Sequence, residues 1–260
     1  MPSSDRSRTL ITGASSGIGA AFAAALAAKG HDLILVARSG DRLTAMAADL
    51  SARHGIAAEA LAADLSTAAG VDGLLAELTA RGREVSLLIN NAGFGTHGRF
   101  ATLDPAREAQ ELMLNCYAPM MLTRGLLPAM IARGGGDIIN LASTVAFQPS
   151  PYAATYGATK AFMLSFSQAI AEEVRAQGIR VVALCPGVTK TAFFDGEHAL
   201  KAFGRMRTPE QVVATALRAL DRGKSVAIDG LQNRLMAESV RLAPRRMVAQ
   251  MAGNLMKGDA

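Results

Sequence analysis

Thr9-Leu10-Ile11 is apolar and strand-like, and it runs straight into Thr12-Gly13-Ala14-Ser15-Ser16-Gly17-Ile18-Gly19 and an alanine-rich helical stretch through Lys29. Strand, glycine turn and helix start in that order form a site for the phosphates of a dinucleotide. Gly13 permits the tight turn, Gly17 lets a phosphate approach the backbone, and Gly19 lets the helix pack close to the sheet. Ser15, Ser16 and Ile18 lie between these glycines, and the unpaired amides of the first helical turn face the pyrophosphate.

The rest of the chain repeats the alternation. Strand-like runs are expected at Thr9–Ile11, Asp32–Ala37, Ala57–Leu61, Ser86–Ile89, Asp137–Ala142, Arg180–Leu184 and Ser225–Ile228, with helical patterns between them. That order predicts an α/β fold: a Rossmann-type, doubly wound parallel sheet of about seven strands with helices on both faces and right-handed crossovers. At 260 residues the chain is expected to form one domain over 1–260. Gly134-Gly135-Gly136 reads as a turn between a helix and the fifth strand. In such a sheet ligands lie beyond the carboxyl ends of the strands, so Gly13, Asn90, Ser143 and Pro186, each following a strand, converge on one edge.

A second feature carries chemistry. Tyr156 and Lys160 are four residues apart, and a helix through them stacks phenol and ammonium on one face. A neighbouring cation stabilises the phenolate and suits a tyrosine to general acid–base work.

Together these segments resemble the short-chain dehydrogenase/reductase family, in its branch of roughly 250 residues and one domain. The glycine pattern is that family's Thr-Gly-x-x-x-Gly-x-Gly. Asn90-Asn91-Ala92-Gly93 matches its Asn-Asn-Ala-Gly motif after the fourth strand. Asn115, Ser143, Tyr156 and Lys160 match its catalytic tetrad in order and spacing. Pro186-Gly187, with Val188, Thr189 and Thr191 behind, matches its Pro-Gly-x-x-x-Thr segment. The motifs span roughly residues 8–230, and the stretch after about Gly230 shares none of them. The resemblance implies that hydride passes between a nicotinamide and a carbonyl carbon. Tyr156 then gives the proton, Lys160 depresses the tyrosine's pKa and holds the nicotinamide ribose, Ser143 hydrogen-bonds the carbonyl oxygen, and Asn115 holds a water that relays protons to Lys160. It further implies that Asp64, with Leu65 beside it, contacts the adenine, that Asn91 ties neighbouring strands, and that Asn90, Ala92 and Gly93 shape the ribose wall. Asp64, Ser66 and Thr67 also suit a helix N-cap.

At the end of the second strand an acidic residue would bind the ribose 2′-hydroxyl of NAD. That place holds Ala37, followed by Arg38 and Ser39. The guanidinium fork of Arg38 matches a 2′-phosphate, so NADP(H) is the expected cofactor, with NAD(H) the alternative. Ser16 stands where many NADP-preferring relatives carry a second basic residue. The net charge of +5 does not mark a nucleic-acid binder, because the basic residues are dispersed and no basic run is interleaved with aromatics. The four histidines lack metal-ligand spacing, so no metal is expected. No apolar stretch is long enough for a bilayer, and Met1 to Arg8 lack the core of a signal peptide. Cys116 and Cys185 read as small core residues under reducing, cytoplasmic conditions.

The region of about 188–208 is expected to be a lid, with Phe193, Phe194, Ala199, Leu200 and Phe203 on its apolar side. Phe94, Phe147, Pro149, Pro151 and Tyr152 are expected near the site. Such a pocket suits an apolar small molecule: a hydrophobic ketone, aldehyde or 3-oxoacyl group. Lys190, Lys201, Arg205 and Arg207 offer charges for the phosphates of an acyl thioester. The Asn91–Phe100 stretch is similar to the branch holding acyl and hydroxysteroid reductases. The amphipathic extension 231–260, broken by Pro244, can cap the pocket, dock a second subunit or make a peripheral membrane contact. The resemblance implies a homodimer or homotetramer joined through the helices of Asn115 and Tyr156. The main reading is an NADP(H)-dependent carbonyl/alcohol oxidoreductase. Alternatives are an NAD-linked alcohol or hydroxysteroid-type dehydrogenase and a non-catalytic NADP-binding sensor.

Overall fold

The computed structural model describes residues 8–191, 193 and 206–257. The first half alternates β1 (Arg8–Thr12), α1 (Gly17–Ala27), β2 (Asp32–Ala37), α2 (Gly40–His54), β3 (Ala58–Ala62), α3 (Ala68–Ala80) and β4 (Leu87–Asn90). After β4 come α4 (Pro105–Leu112), a π-helical turn (Met113–Tyr117), α5 (Ala118–Ala132), β5 (Gly136–Leu141) and α6 (Ala154–Val174). The chain ends with β6 (Ile179–Cys185), α7 (Pro209–Asp221), β7 (Val226–Ile228), α8 (Leu231–Ser239) and α9 (Arg245–Met256). All seven strands fall within one residue of the expected bounds. They form one parallel sheet in the order β3-β2-β1-β4-β5-β6-β7.

The strands are apolar on both sides because helices cover both faces. Alternate residues divide between two cores. Ile11, Leu33, Leu35 and Ile89 pack under α1, α2 and α7, against Phe22, Leu26, Leu43 and Val212. Leu10, Ile34, Val36 and Leu88 face the other way, against Leu74 of α3, Leu122 of α5 and Val174 of α6. Each fully buried aliphatic side chain contributes roughly 1.5–3 kcal/mol. The helix starts are written locally: Thr67 caps α3, Asp104 caps α4 ahead of Pro105, and Thr208 and Gln211 form a capping box on α7. Strand order reverses between β1 and β4, which opens a crevice at their carboxyl ends. Among the described residues no helix is long and apolar enough to cross a membrane.

Candidate active site

A cleft of about 850 Å³ crosses the carboxyl ends of the strands, from Arg38 and Asp64 past Gly13 and Gly17 to Ser143, Tyr156 and Lys160. Every residue expected at the cofactor lines it except Gly19 and Asn90; of the four expected catalytic residues, only Asn115 does not. Gly13 has φ +65°, and a Cβ there would lie 2.8 Å from Asn91 Nδ2 and 2.9 Å from Ala92 Cα. A Cβ on Gly19 would lie 2.2 Å from the Gly13 carbonyl oxygen, so this glycine serves the close approach of α1 to the turn rather than the cleft wall. Asn91 Nδ2 donates to the Thr12 and Gly13 carbonyls at 2.9 and 3.1 Å, tying β4 to β1.

Asn90 departs from expectation. Its side chain is 5 % exposed and turns into the helix-covered face, donating to Asn140 Oδ1 at 2.8 Å. Of that motif, Asn91, Ala92 and Gly93 line the cleft. At the rim Arg38 and Ser39 are exposed on the cleft. Asp64 Oδ1 accepts from the Ser66 amide at 3.0 Å and hydroxyl at 2.7 Å. Those bonds, helped by the nearby Arg38 charge, hold its carboxyl below the usual range. Thr67, not Asp64, caps α3. A glycine cradle leading to a cationic rim without a carboxylate at Ala37 fits a phosphorylated dinucleotide.

At the other end, α6 carries Tyr156 and Lys160. Lys160 is 4 % exposed; its Nζ donates to the Leu141 carbonyl at 2.8 Å and lies 5.6 Å from the Tyr156 ring centroid. Burial draws the Lys160 ammonium down to about 8. Burial also pushes the Tyr156 phenol up to about 12, against the pull of the Ser143 hydroxyl. The lysine was expected to draw the phenol down; here desolvation outweighs any such pull, although Tyr156 keeps an accessible edge on the cleft. Ser143 begins the short 3₁₀ turn Thr144–Phe147, where its Oγ accepts from the Val145 amide at 3.3 Å. Asn115 sits in the π turn, 2 % exposed. Its amide donates to the Phe94 carbonyl at 2.8 Å and to Thr159 Oγ1 at 3.1 Å, and its Oδ1 accepts from the Phe94 amide at 3.2 Å. The side chain thus fastens the Phe94 segment to α6.

The chain as a whole is similar to known proteins. The model of the short chain dehydrogenase family matches residues 7–200. The chain belongs to that family. It is 37% identical over 218 residues to a very-long-chain 3-oxoacyl-CoA reductase of Phaeosphaeria nodorum, a match covering 82% of this chain but only 63% of that relative's length. A short-chain dehydrogenase from Sphingobium yanoikuyae, solved in complex with NADPH, superposes with a TM-score of 0.82 at 37% identity, covering 91% of this chain and 94% of that one. A bulky-bulky ketone specific alcohol dehydrogenase from Comamonas testosteroni gives 0.79 at 31% identity, covering 92% and 93%.

In this short-chain dehydrogenase the substrate end is less regular. Phe94 and Phe193 line the cleft, and the Phe193 ring lies 5.6 Å from that of Tyr156. Phe147, Pro149, Pro151 and Tyr152 do not line it. Phe147 packs with Met163 and Leu164 instead, and Pro151 lies under Gly253 of α9. Phe194, Ala199, Leu200, Lys201, Phe203 and Arg205 lie outside the described residues. Arg207 is not available to a substrate: its guanidinium grips buried Asp229 through two bonds of 2.9 and 3.1 Å. The extension returns to the site, since Asn233, Met236, Leu255 and Met256 line the cleft and the Met256 carbonyl lies 3.0 Å from His97 Nε2. Burial pushes the thiols of Cys116 and Cys185 up to about 11 and about 12, so neither is a ready nucleophile. Thr96, Glu108, Glu111, Thr155 and Asn233 belong to the site's surroundings and were not expected there.

Proposed function

We propose that this protein is an NADP(H)-dependent oxidoreductase that interconverts a carbonyl and an alcohol on an apolar small molecule. The observation that carries this is the convergence of Ser143, Tyr156 and Lys160 at one end of a glycine-cradled cleft whose other end presents Arg38. The NADPH-bound relative supports the cofactor, and the relatives acting on bulky ketones and 3-oxoacyl groups support the substrate class. When bound, NADP(H) supplies or accepts the hydride at carbon. Ser143 and Tyr156 hydrogen-bond the carbonyl oxygen and stabilise the charge that develops there. Tyr156, protonated at neutral pH, then delivers the proton to that oxygen. The Lys160 ammonium, held on the Leu141 carbonyl, stabilises the phenolate left behind. The substrate body lies among Phe94, Leu114, Phe193, Met236 and Leu255. The exposed Phe162, stacked on Phe166 at 5.7 Å along α6, supports self-association through that helix.

The test is NADPH oxidation, with NADH beside it, against apolar ketones, aldehydes and 3-oxoacyl thioesters. Turnover that prefers NADPH and vanishes in Tyr156→Phe is expected. Tight NADPH binding without turnover of any of them would favour the sensor reading.

A further inference from the structure

Helix α4 is built inside out. Glu108 and Glu111 are 9 % and 0 % exposed, whereas Leu112 is 49 % exposed. Glu108, Glu111 and Asn115 fall at i, i+3 and i+7, a single stripe. It faces the loop carrying Phe94 and Thr96 and the start of α6. Burying two carboxyl groups side by side is costly unless they are neutralised and hydrogen-bonded.

Their partners can be counted. Thr96 Oγ1 is in hydrogen-bond contact with both acids, with Glu108 Oε1 and, at 2.8 Å, with Glu111 Oε2. The Thr96 amide donates to Glu111 Oε2 at 3.0 Å, and the Thr155 hydroxyl donates to Glu108 Oε2. A threonine hydroxyl has one proton to give. It can satisfy two carboxyl groups only by donating to one and accepting from the other, and an acid that donates must be protonated. Glu111 is the acid shut from water, and its Oε1 is buried with no partner. That suits the neutral form, since a bare carboxylate oxygen there would carry charge unsolvated.

We propose that Glu111 carries one proton at neutral pH, shared across the pair only through the Thr96 hydroxyl that bridges it to Glu108, and that this carboxyl pair positions the Gly95–Thr96 segment against the ring of Tyr156. The segment is tightly seated: a Cβ on Gly95 would lie 2.9 Å from Tyr156 Cδ2. The pair joins α4, the segment and, through Thr155, the residue preceding Tyr156. The charged and titratable groups facing Glu111 are Glu108 on its own helix, Cys116 in the π turn, and Tyr156 and Lys160 on α6. Burial raises the Glu111 carboxyl, and Glu108 adds to this; the two Thr96 bonds and Lys160 pull back less. Once the shared proton is lost, Thr96 can donate to only one of two like charges, and the segment loosens. The kinetic consequence rests on Tyr156 being the general acid; the shared proton does not.

The direct test is infrared spectroscopy of the full chain at neutral pH, without substrate. The C=O stretch of a protonated carboxylic acid is expected in the wild type and absent from Glu111→Gln. No such band, or one that Glu111→Gln leaves unchanged, would overturn the shared proton. A glutamine amide donates as the protonated acid does. Glu111→Gln should therefore recover most of the turnover that Glu111→Ala loses, roughly tenfold or more, with NADPH binding intact in both. Equal losses in the two variants would overturn the positioning role. Melting against pH gives a further readout. A carboxyl raised above its ordinary 4.5 stabilises the fold fully below that value, and the contribution is lost as pH rises through the folded pKa. The wild type should lose that increment and Glu111→Gln should not; parallel curves would count against the proposal.

Discussion

The two ends of the cleft are made of different material. The cofactor end is mostly backbone: Gly13 and Gly19 remove side chains so that a turn, a helix start and the β4 end can crowd together, and Gly17 leaves room for Thr191. Its residues come from contiguous motifs at strand ends. The substrate end is mostly side chain, assembled from the Phe94–His97 loop, α4, Phe193 and the two C-terminal helices. A backbone site is dictated by local conformation, and local conformation is what residue patterns encode. A side-chain site depends on which distant segments meet, and so it can change while the fold stays.

Breaking the chemistry where the two ends meet should give the largest effect. Tyr156→Phe should cost about 10²–10⁴-fold in turnover while NADPH binding, measured by fluorescence titration, stays within a few-fold. Residual turnover close to wild type would remove Tyr156 from its role. Next comes pH. If the Lys160 ammonium supports proton delivery, reduction should fall about tenfold per pH unit above about 8, where that group loses its proton. Stability should move the opposite way. A lysine lowered from 10.5 to about 8 destabilises the fold below the folded value, and stability is regained as pH rises from about 8 to 10.5. Lys160→Met should lack that rise in melting temperature, and a rise of equal size in the variant would assign it elsewhere. A smaller effect tests the rim. Replacing Ala37 with Asp and Arg38 with Leu should swing preference toward NADH by roughly 10–100-fold, the worth of one to two charge-assisted contacts. An unchanged NADPH/NADH ratio of kcat/KM would detach Arg38 from cofactor choice.

The same division explains what the residue pattern showed in advance. Strand bounds, glycine turns and the Tyr156–Lys160 pair all rest on short-range periodicity, and all were legible. Asn90 was misplaced because neighbouring strand residues point to opposite faces: Asn91 reaches β1 while Asn90, the last residue of β4, turns to Asn140. Arg207 pairs with Asp229, 22 residues on in the chain beyond α7 and β7, a contact that no local pattern announces. Glu108 and Glu111 are buried although acids on a helix ordinarily mark its solvated face. The clue was their spacing to Asn115, which places them on the buried stripe of a catalytic candidate. Phe147 packs against a core cluster and the Tyr152 ring lies 6.5 Å from that of His97 at the cleft edge, because position in a loop does not fix the direction of a side chain.

Asn233 gives the smallest but sharpest test, because it joins the legible end to the illegible one. It stands on α8, where its Nδ2 donates to the Asp229 carbonyl at 2.6 Å, and it lines the cleft. A Cβ on Gly187 would lie 2.4 Å from that same nitrogen. The glycine after Pro186 is therefore required in part by a side chain 46 residues later (233 − 187), not by the turn alone. Asn233→Ala should cost about 1 kcal/mol for the lost hydrogen bond. Gly187→Ala in the wild type should cost about 1–3 kcal/mol, the usual penalty of overpacking. In the Asn233→Ala background the three atoms nearest the added methyl are gone, and most of that penalty should disappear. A double-mutant cycle on denaturant unfolding reads the coupling directly. Additive costs would mean that α8 is not seated on the Pro186–Gly187 turn, and that the substrate end can be rebuilt without touching the cofactor end.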